Sequence, residues 1–410
     1  MKTLIGPFKQ CLTLRGLNDD GALSDDDLEV LENVGILYEN GFILDLLAWE
    51  QIDRCIYDEK IVLDSAYVLT PGLVDCHTHL CFAGSRAFDY QYRLSGLSYE
   101  EMAKRGGGIK YTMSQTRLAS ENQLLSFMES RLSRHLKRGV TTVEIKSGYG
   151  LSASFELAHL RLINQLKSFK SIQTIVPTCL ATHVCPPEFQ GDSQGYIDSI
   201  VRDLLPQVMA ENLAKRVDIF VENSAFPLEL AKGYLQTCQQ MGFDLTIHAD
   251  QFSNQGAKLA GMLSAKSADH LEVSQKEDLL ALQASQVVAV ALPGASMGLG
   301  CAYAPTRLAL DLGLSVAIAS DWNPGSAPMG DLLLQASVLG MSTRMSSAEI
   351  WAGLTFRPAK SLGLDRVGRV EKAYVADLIA FKADHWQEIL YQQGQLLPSM
   401  VMVKGECRWF

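Results

Sequence analysis

The stretch Pro71-Gly72-Leu73-Val74-Asp75-Cys76-His77-Thr78-His79 runs from a short apolar strand straight into a His-x-His pair. In extended backbone, residues i and i+2 point the same way, so two imidazoles at a strand end can grip one metal ion. Taken alone, the pair reads more readily as two surface histidines, and what surrounds it decides. After Pro71, apolar runs of strand length alternate with amphipathic helices, the pattern of parallel βα units. Strand cores read at 72–74, 141–145, 174–180, 218–221, 244–247, 267–269, 287–292 and 315–319, which makes eight. Helices read between them, as at 228–241 and at 122–137, where Leu124, Leu125, Met128, Leu132 and Leu136 keep a spacing near 3.6. Eight strands with intervening helices predict an α/β fold, a (β/α)8 TIM barrel.

Outside the barrel the texture differs. Before residue 70, short apolar runs at 11–14, 34–37, 42–47 and 61–63 are broken by acidic turns. From about Glu349 a further helix leads into apolar runs at 377–381 and 400–405. Strands at both termini are expected to pair into one small β domain, with 1–68 as its N-terminal part, 69–365 as the barrel and 366–410 as its C-terminal part.

The 410 residues carry 36 basic and 46 acidic side chains, a net charge of −10, with 47% hydrophobic and 20% charged residues. That is a globular composition without a basic stripe able to neutralise phosphates, so the expected partner is a small molecule, not nucleic acid or an acidic membrane surface. Pro7 interrupts the N-terminus before an apolar signal region forms, and no run of about 18 apolar residues occurs. Nine cysteines without a C-x-x-C pair give neither a disulfide framework nor a zinc ribbon. A cytoplasmic enzyme with reduced thiols is the expectation.

In such barrels the catalytic groups gather at the C-terminal rim. His248 ends the fifth strand in Leu245-Thr246-Ile247-His248, and Asp321 ends the eighth in Ala319-Ser320-Asp321, beside the first strand once the barrel closes. His77, His79, His248 and Asp321 thus offer three nitrogens and one oxygen, a set for one divalent ion, zinc or iron. It leaves room for a water whose pKa falls toward ~7 on zinc. His270, after the sixth strand, is placed to act as acid, base or oxyanion donor, and His183, ending the third before Pro186-Pro187, to touch substrate. His135, His159 and His385 fall in helical or terminal patterns and are given no role. Gly106-Gly107-Gly108 lacks a following G-K-[ST] and reads as a flexible rim loop, not a phosphate cradle.

From about Leu69 to Gly405 the chain resembles the imidazolonepropionases, metal-dependent amidohydrolases of histidine degradation. The resemblance rests on His77-Thr78-His79, Ala83-Gly84-Ser85-Arg86, Gly106-Gly107-Gly108-Ile109, Lys146-Ser147-Gly148-Tyr149-Gly150-Leu151, His183 with Pro186-Pro187-Glu188, His248-Ala249-Asp250, Ser267-Ala268-Asp269-His270 and Asp321-Trp322-Asn323-Pro324-Gly325-Ser326. It implies opening of 4-imidazolone-5-propanoate by water to N-formimidoyl-L-glutamate. It also implies metal ligation by the same four residues, substrate or product contacts from Arg86, Tyr149, His183, Gln251, Asn323, Gly325 and Ser326, and a homodimer. Arg86 with Tyr149 offers the fork of donors that a propanoate tail requires, and Asn323 and Ser326 offer neutral hydrogen bonds. Asn323 before Pro324 also fits ordinary loop capping. On this reading Asp321 takes a proton from water and passes it to the leaving nitrogen, and His270 steadies the oxyanion.

Two positions depart from the family pattern. Gln251 stands where many members have Glu, and an amide cannot shuttle a proton. After Pro293-Gly294, where the family usually places aromatic residues, the chain runs Ala295-Ser296-Met297-Gly298-Leu299-Gly300. A related amidohydrolase or deaminase acting on a different imidazolone, hydantoin or cyclic amidine is the alternative, the deaminase weakened by the missing carboxylate at 251. A ligand-binding barrel without chemistry predicts a damaged ligand set, which the sequence does not have.

Overall fold

The computed structural model describes residues 1–64, 66–96, 107–167 and 173–410 and divides their strands between two sheets. Five strands come first: β1 (Thr3–Leu12), β2 (Val30–Glu39), β3 (Phe42–Ala48), β4 (Glu59–Val62) and β5 (Tyr67–Pro71). β1 is longer than the apolar run at 11–14 suggests, because it continues through Pro7. Its register with β2 shifts between Ile5 and Phe8, which accommodates a residue that has no N–H to give to a ladder.

Eight parallel strands follow: β6 (Leu73–Asp75), β7 (Val140–Lys146), β8 (Thr174–Thr182), β9 (Arg216–Phe220), β10 (Asp244–Ala249), β11 (Ser267–His270), β12 (Val288–Ala291) and β13 (Val316–Ile318). Each pairs in parallel with the next, so every strand core read from the sequence is a strand of one sheet in sequential order. The ring closes just beyond β6 and β13: Asp321 N–H donates to His77 O at 3.1 Å and His79 N–H to Trp322 O at 3.0 Å. The closing contacts therefore lie on the residues that carry the expected metal ligands.

The helices between the strands follow the usual rules. Glu121–Lys137 starts at Ser120, whose hydroxyl accepts from Gln123 N–H while the Gln123 side chain accepts from Ser120 N–H. Its buried stripe is Leu124, Leu125, Met128, Leu132, His135 and Leu136, the apolar spacing expected plus one histidine. Leu228–Gln240 buries Ala231, Tyr234, Leu235 and Cys238 in the same way.

After the barrel, β14 (Leu378–Lys382), β15 (Met400–Val403) and β16 (Glu406–Trp409) join the first sheet in the order β16-β15-β14-β5-β1-β2-β3, with β4 on β1. Both termini therefore build one sheet, over a core that includes Phe8, Ile36, Leu69, Leu378 and Met400. β16 has no apolar run to announce it, since it is an edge strand and mostly exposed. The chain passes from this sheet into the barrel at Gly72, whose N–H donates to Asp377 O at 2.8 Å. A Cβ there would sit 2.4 Å from Thr141 Oγ1, so only glycine allows β6 to lie this close to β7. Among the described residues, no helix is long and apolar enough to cross a membrane.

Candidate active site

Four side chains meet at the C-terminal rim. His79 Nε2 lies 3.3 Å from His77 Nε2, 3.4 Å from His248 Nε2 and 3.2 Å from Asp321 Oδ1. All four residues are buried, and the atoms of His77, His79 and Asp321 are close enough together to hold one ion. Neutral imidazoles are needed for that, and burial supplies the condition: it drives His77 well below the ordinary histidine range and His79 down to about 4. Burial disfavours the charge on Asp321, but the surrounding histidines, His79 first and then His270 and His248, together outweigh it and lower the carboxyl below its usual range.

Carboxylates from other strands of the barrel aim the rings. His77 Nδ1 donates to Asp269 Oδ2 at 2.6 Å, and His248 Nδ1 lies 2.9 Å from Asp218 Oδ2. With Nδ1 facing a carboxylate in both rings, the Nε2 lone pairs face the centre, the arrangement that metal-binding histidines use. Nothing in the apolar-run reading singled out Asp218 or Asp269. The signal available was a charged residue inside a fully buried parallel strand, where acidic groups are rare unless paired.

His270 closes β11 on the same rim, its ring 5.3 Å from that of His248 and 5.9 Å from that of His77. Its Nδ1 is 3.3 Å from Glu272 Oε1, which also accepts from Ser296 Oγ at 3.2 Å. Burial opposes its protonation, yet Glu272 outweighs burial and the pKa rises. The backbone is held in the left-handed region at His270 (φ 86°), at Asp250 (54°) and at Asp321 (49°). Non-glycine residues there carry strain of order 1 kcal/mol or more, a cost that clusters at functional sites.

Of the residues singled out as substrate contacts, His183, Tyr149, Asn323 and Ser326 lie against this centre. His183 stacks on His79 with ring centroids 5.2 Å apart, its Nδ1 3.1 Å from Gly148 O. Tyr149, buried, packs between His79 and His183 at 6.0 and 5.4 Å. Arg86 donates from Nε to Asp89 at 2.6 Å, and its guanidinium lies so close to Gly325 that a Cβ there would come within 2.3 Å of it. Asn323 Nδ2 donates to Asp321 Oδ2 at 2.8 Å and to Ser326 Oγ at 2.9 Å, while its Oδ1 accepts from Gly325 and Ser326 N–H. Asn323 thus shapes the loop, as ordinary capping would, and also holds one oxygen of Asp321.

Gln251 rides on a loop clamped from two sides. Asp250 accepts from Gln255 N–H, Ala257 N–H and Ser274 Oγ, and Glu222 accepts from Phe252 N–H, Ser253 N–H and Ser253 Oγ. The 295–300 segment lies mostly within the helix Pro293–Leu299. A Cβ at Gly298 would fall 1.6 Å from Ser326 O, so this helix presses directly on the Asn323 loop, and bulky residues at 298 are excluded by backbone. Gly106 of the glycine run lies outside the described residues, while Gly108 N–H donates to Asp89, the partner of Arg86.

A closed parallel barrel with a His/Asp cluster at its C-terminal rim defines a hydrolase of the amidohydrolase class. The Amidohydrolase family matches residues 68–407. An imidazolonepropionase of Acinetobacter baumannii is 39% identical over 379 residues, covering 92% of this chain and 94% of its own length. One from Bdellovibrio bacteriovorus is 35% identical, covering 99% and 96%. In fold the chain is similar to atrazine chlorohydrolase from Arthrobacter aurescens complexed with zinc, with a TM-score of 0.71, 16% identity, and coverage of 99% of this chain and 94% of that one. The chain belongs to the imidazolonepropionase family.

Proposed function

We propose that this chain hydrolyses the cyclic amide bond of 4-imidazolone-5-propanoate, giving N-formimidoyl-L-glutamate in histidine degradation. The observation that carries the reading is the conjunction of family membership with an undamaged rim cluster: His77, His248 and Asp321 each come within 3.2–3.4 Å of His79 Nε2. These four residues would hold one divalent ion, zinc or iron. The donor set suits it: two rings are oriented by carboxylates, and the His79 Nε2 is shared among the other three ligands. Such an ion, when bound, acts as a Lewis acid on a carbonyl and makes water nucleophilic near neutral pH.

The chain's own groups do the remaining work. Asp321 accepts the proton of the attacking water at its carboxylate and returns it to the departing ring nitrogen. Asn323 and Ser326 bond its Oδ2, which fixes the carboxylate while Oδ1 faces the histidines. His270, steadied at Nδ1 by Glu272, donates from Nε2 to the oxygen that gains charge, a role in which one donor is typically worth ~3 kcal/mol. Arg86 and Tyr149 take the propanoate, the Gln251 amide and His183 hold the ring, and Asn323, Gly325 and Ser326 contact the opened product.

All nine cysteines are free, which supports work in a reducing cytoplasm. Twofold dimers are the commonest closed oligomers, and a homodimer is the assembly proposed for this chain. The test is a panel of metal-loaded reactions with 4-imidazolone-5-propanoate, hydantoin-5-propanoate and a cyclic amidine of the same tail, compared by kcat/KM. Preference for the imidazolone by tenfold or more supports the reading; preference for another ring overturns it and points to the small-residue helix 293–299.

A further inference from the structure

Lys146 is the last residue of β7 and is 1% exposed, although the mechanism above gives it no part. Along β7 the side chains of Thr142, Glu144 and Lys146 share one face by strand alternation, opposite Val143 and Ile145. Lys146 Nζ donates to Glu144 Oε1 at 2.9 Å and pairs with Asp218 Oδ2, also at 2.9 Å. Burial works against the ammonium, but Asp218 and Glu144 outweigh it and raise its pKa above the ordinary lysine value.

Each of those carboxylates reaches a different part of the histidine cluster. Glu144 Oε2 accepts from Thr78 N–H at 3.1 Å, and the Lys146 N–H donates to Thr78 O at 3.0 Å, so the peptide between His77 and His79 is held on both sides. Asp218 accepts the His248 N–H on Oδ1 at 3.2 Å and faces His248 Nδ1 with Oδ2 at 2.9 Å. One buried cation therefore spans β6, β7, β9 and β10. Without it, two buried carboxylates would stand close together with nothing between them, and they would separate or take up protons. A buried pair of this kind adds little stability over apolar side chains of the same volume, so its use here is in geometry.

We infer that Lys146 is a positioning residue for the metal cluster: its ammonium holds Glu144 and Asp218 so that the His77-Thr78-His79 segment and His248 face one another. This rests on the reading that the cluster binds a divalent ion. Its test uses the full chain, stripped of metal, as wild type, Lys146→Met and the charge-compensated Lys146→Met/Glu144→Gln. Melting of the apo proteins reports the fold. Zinc affinity by chelator competition and the visible spectrum of the cobalt(II) form report the cluster. The double variant is expected to melt close to wild type yet to bind zinc about 10- to 100-fold more weakly, the range for loss of a group that orients a ligand. Its cobalt spectrum is expected to shift. Zinc affinity and a cobalt spectrum equal to wild type overturn the inference, as does a double variant that does not fold, since Lys146 then serves the fold. A wild-type chain that binds neither zinc nor cobalt overturns the metal reading itself, and is distinguished by that control.

Discussion

His270→Asn isolates the oxyanion role from the strain and packing at that position. Asparagine tolerates the left-handed backbone that His270 adopts (φ 86°) better than alanine does. Its amide ends where the imidazole Nδ1 stood, so the contact with Glu272 Oε1, 3.3 Å in the parent, can persist. What disappears is the reach to Nε2, the atom proposed as the donor. A single oxyanion donor in a site screened from water contributes ~3 kcal/mol, and each ~1.4 kcal/mol is a factor of ten in rate. The expected outcome is a kcat lower by about 10²-fold, with KM within about threefold and metal content unchanged. The assay is steady-state turnover of 4-imidazolone-5-propanoate beside elemental analysis of the same preparation. A kcat near the parent value refutes the donor role. Loss of metal refutes it differently: the His270, His77 and His248 nitrogens also lie within reach of one ion, and His270 would then be a ligand.

Other consequences follow from the same geometry. Asp269→Asn weakens the 2.6 Å bond that orients His77, so zinc affinity in a chelator competition is expected to fall about tenfold, and an unchanged affinity contradicts the orienting role. Gly298→Ala forces the helix Pro293–Leu299 off Ser326 O; displacing the Asn323 loop by even ~1 Å can cost up to about 10²-fold in rate, so activity is expected to fall more than stability, and a fully active variant contradicts the packing. Asp377 is buried and its carboxyl is pushed up to about 6 by burial. Its folded form therefore binds the proton more tightly than the unfolded chain, and stability falls as pH rises from about 4 to about 6, by ~3 kcal/mol over that window. Asp377→Asn is expected to raise the melting temperature at pH 7.5 and to change it little at pH 4, whereas equal effects at both values contradict the assignment.

The barrel was legible because its strands are short, apolar and separated by helices with clear periodicity. The strand starting at Val140 shows why the site was only half legible. Val140, Thr141, Val143 and Ile145 announce a buried strand, but Glu144 and Lys146 within it are invisible to a search for apolar runs. The same holds for Asp218 and Asp269, which face His248 and His77 from inside β9 and β11. Histidines at strand ends stand out by chemistry and position, while the carboxylates that aim them are identified only when distant strands are brought side by side. Asn323 illustrates the converse. Its sequence context fits ordinary capping, and in three dimensions it caps its loop and bonds Asp321 as well. In the terminal sheet, β16 is not announced because it is an exposed edge strand, and the early half of β1, though interior, because Pro7 breaks its apolar run.

The central claim is ring opening of one substrate at the His77, His79, His248 and Asp321 cluster. It is tested most directly by mixing the purified, metal-loaded chain with freshly generated 4-imidazolone-5-propanoate and following N-formimidoyl-L-glutamate by mass spectrometry, with His248→Ala as the blank. Product formed well above that blank is the expected result. No product above the blank, with one metal ion per chain confirmed, would contradict the account.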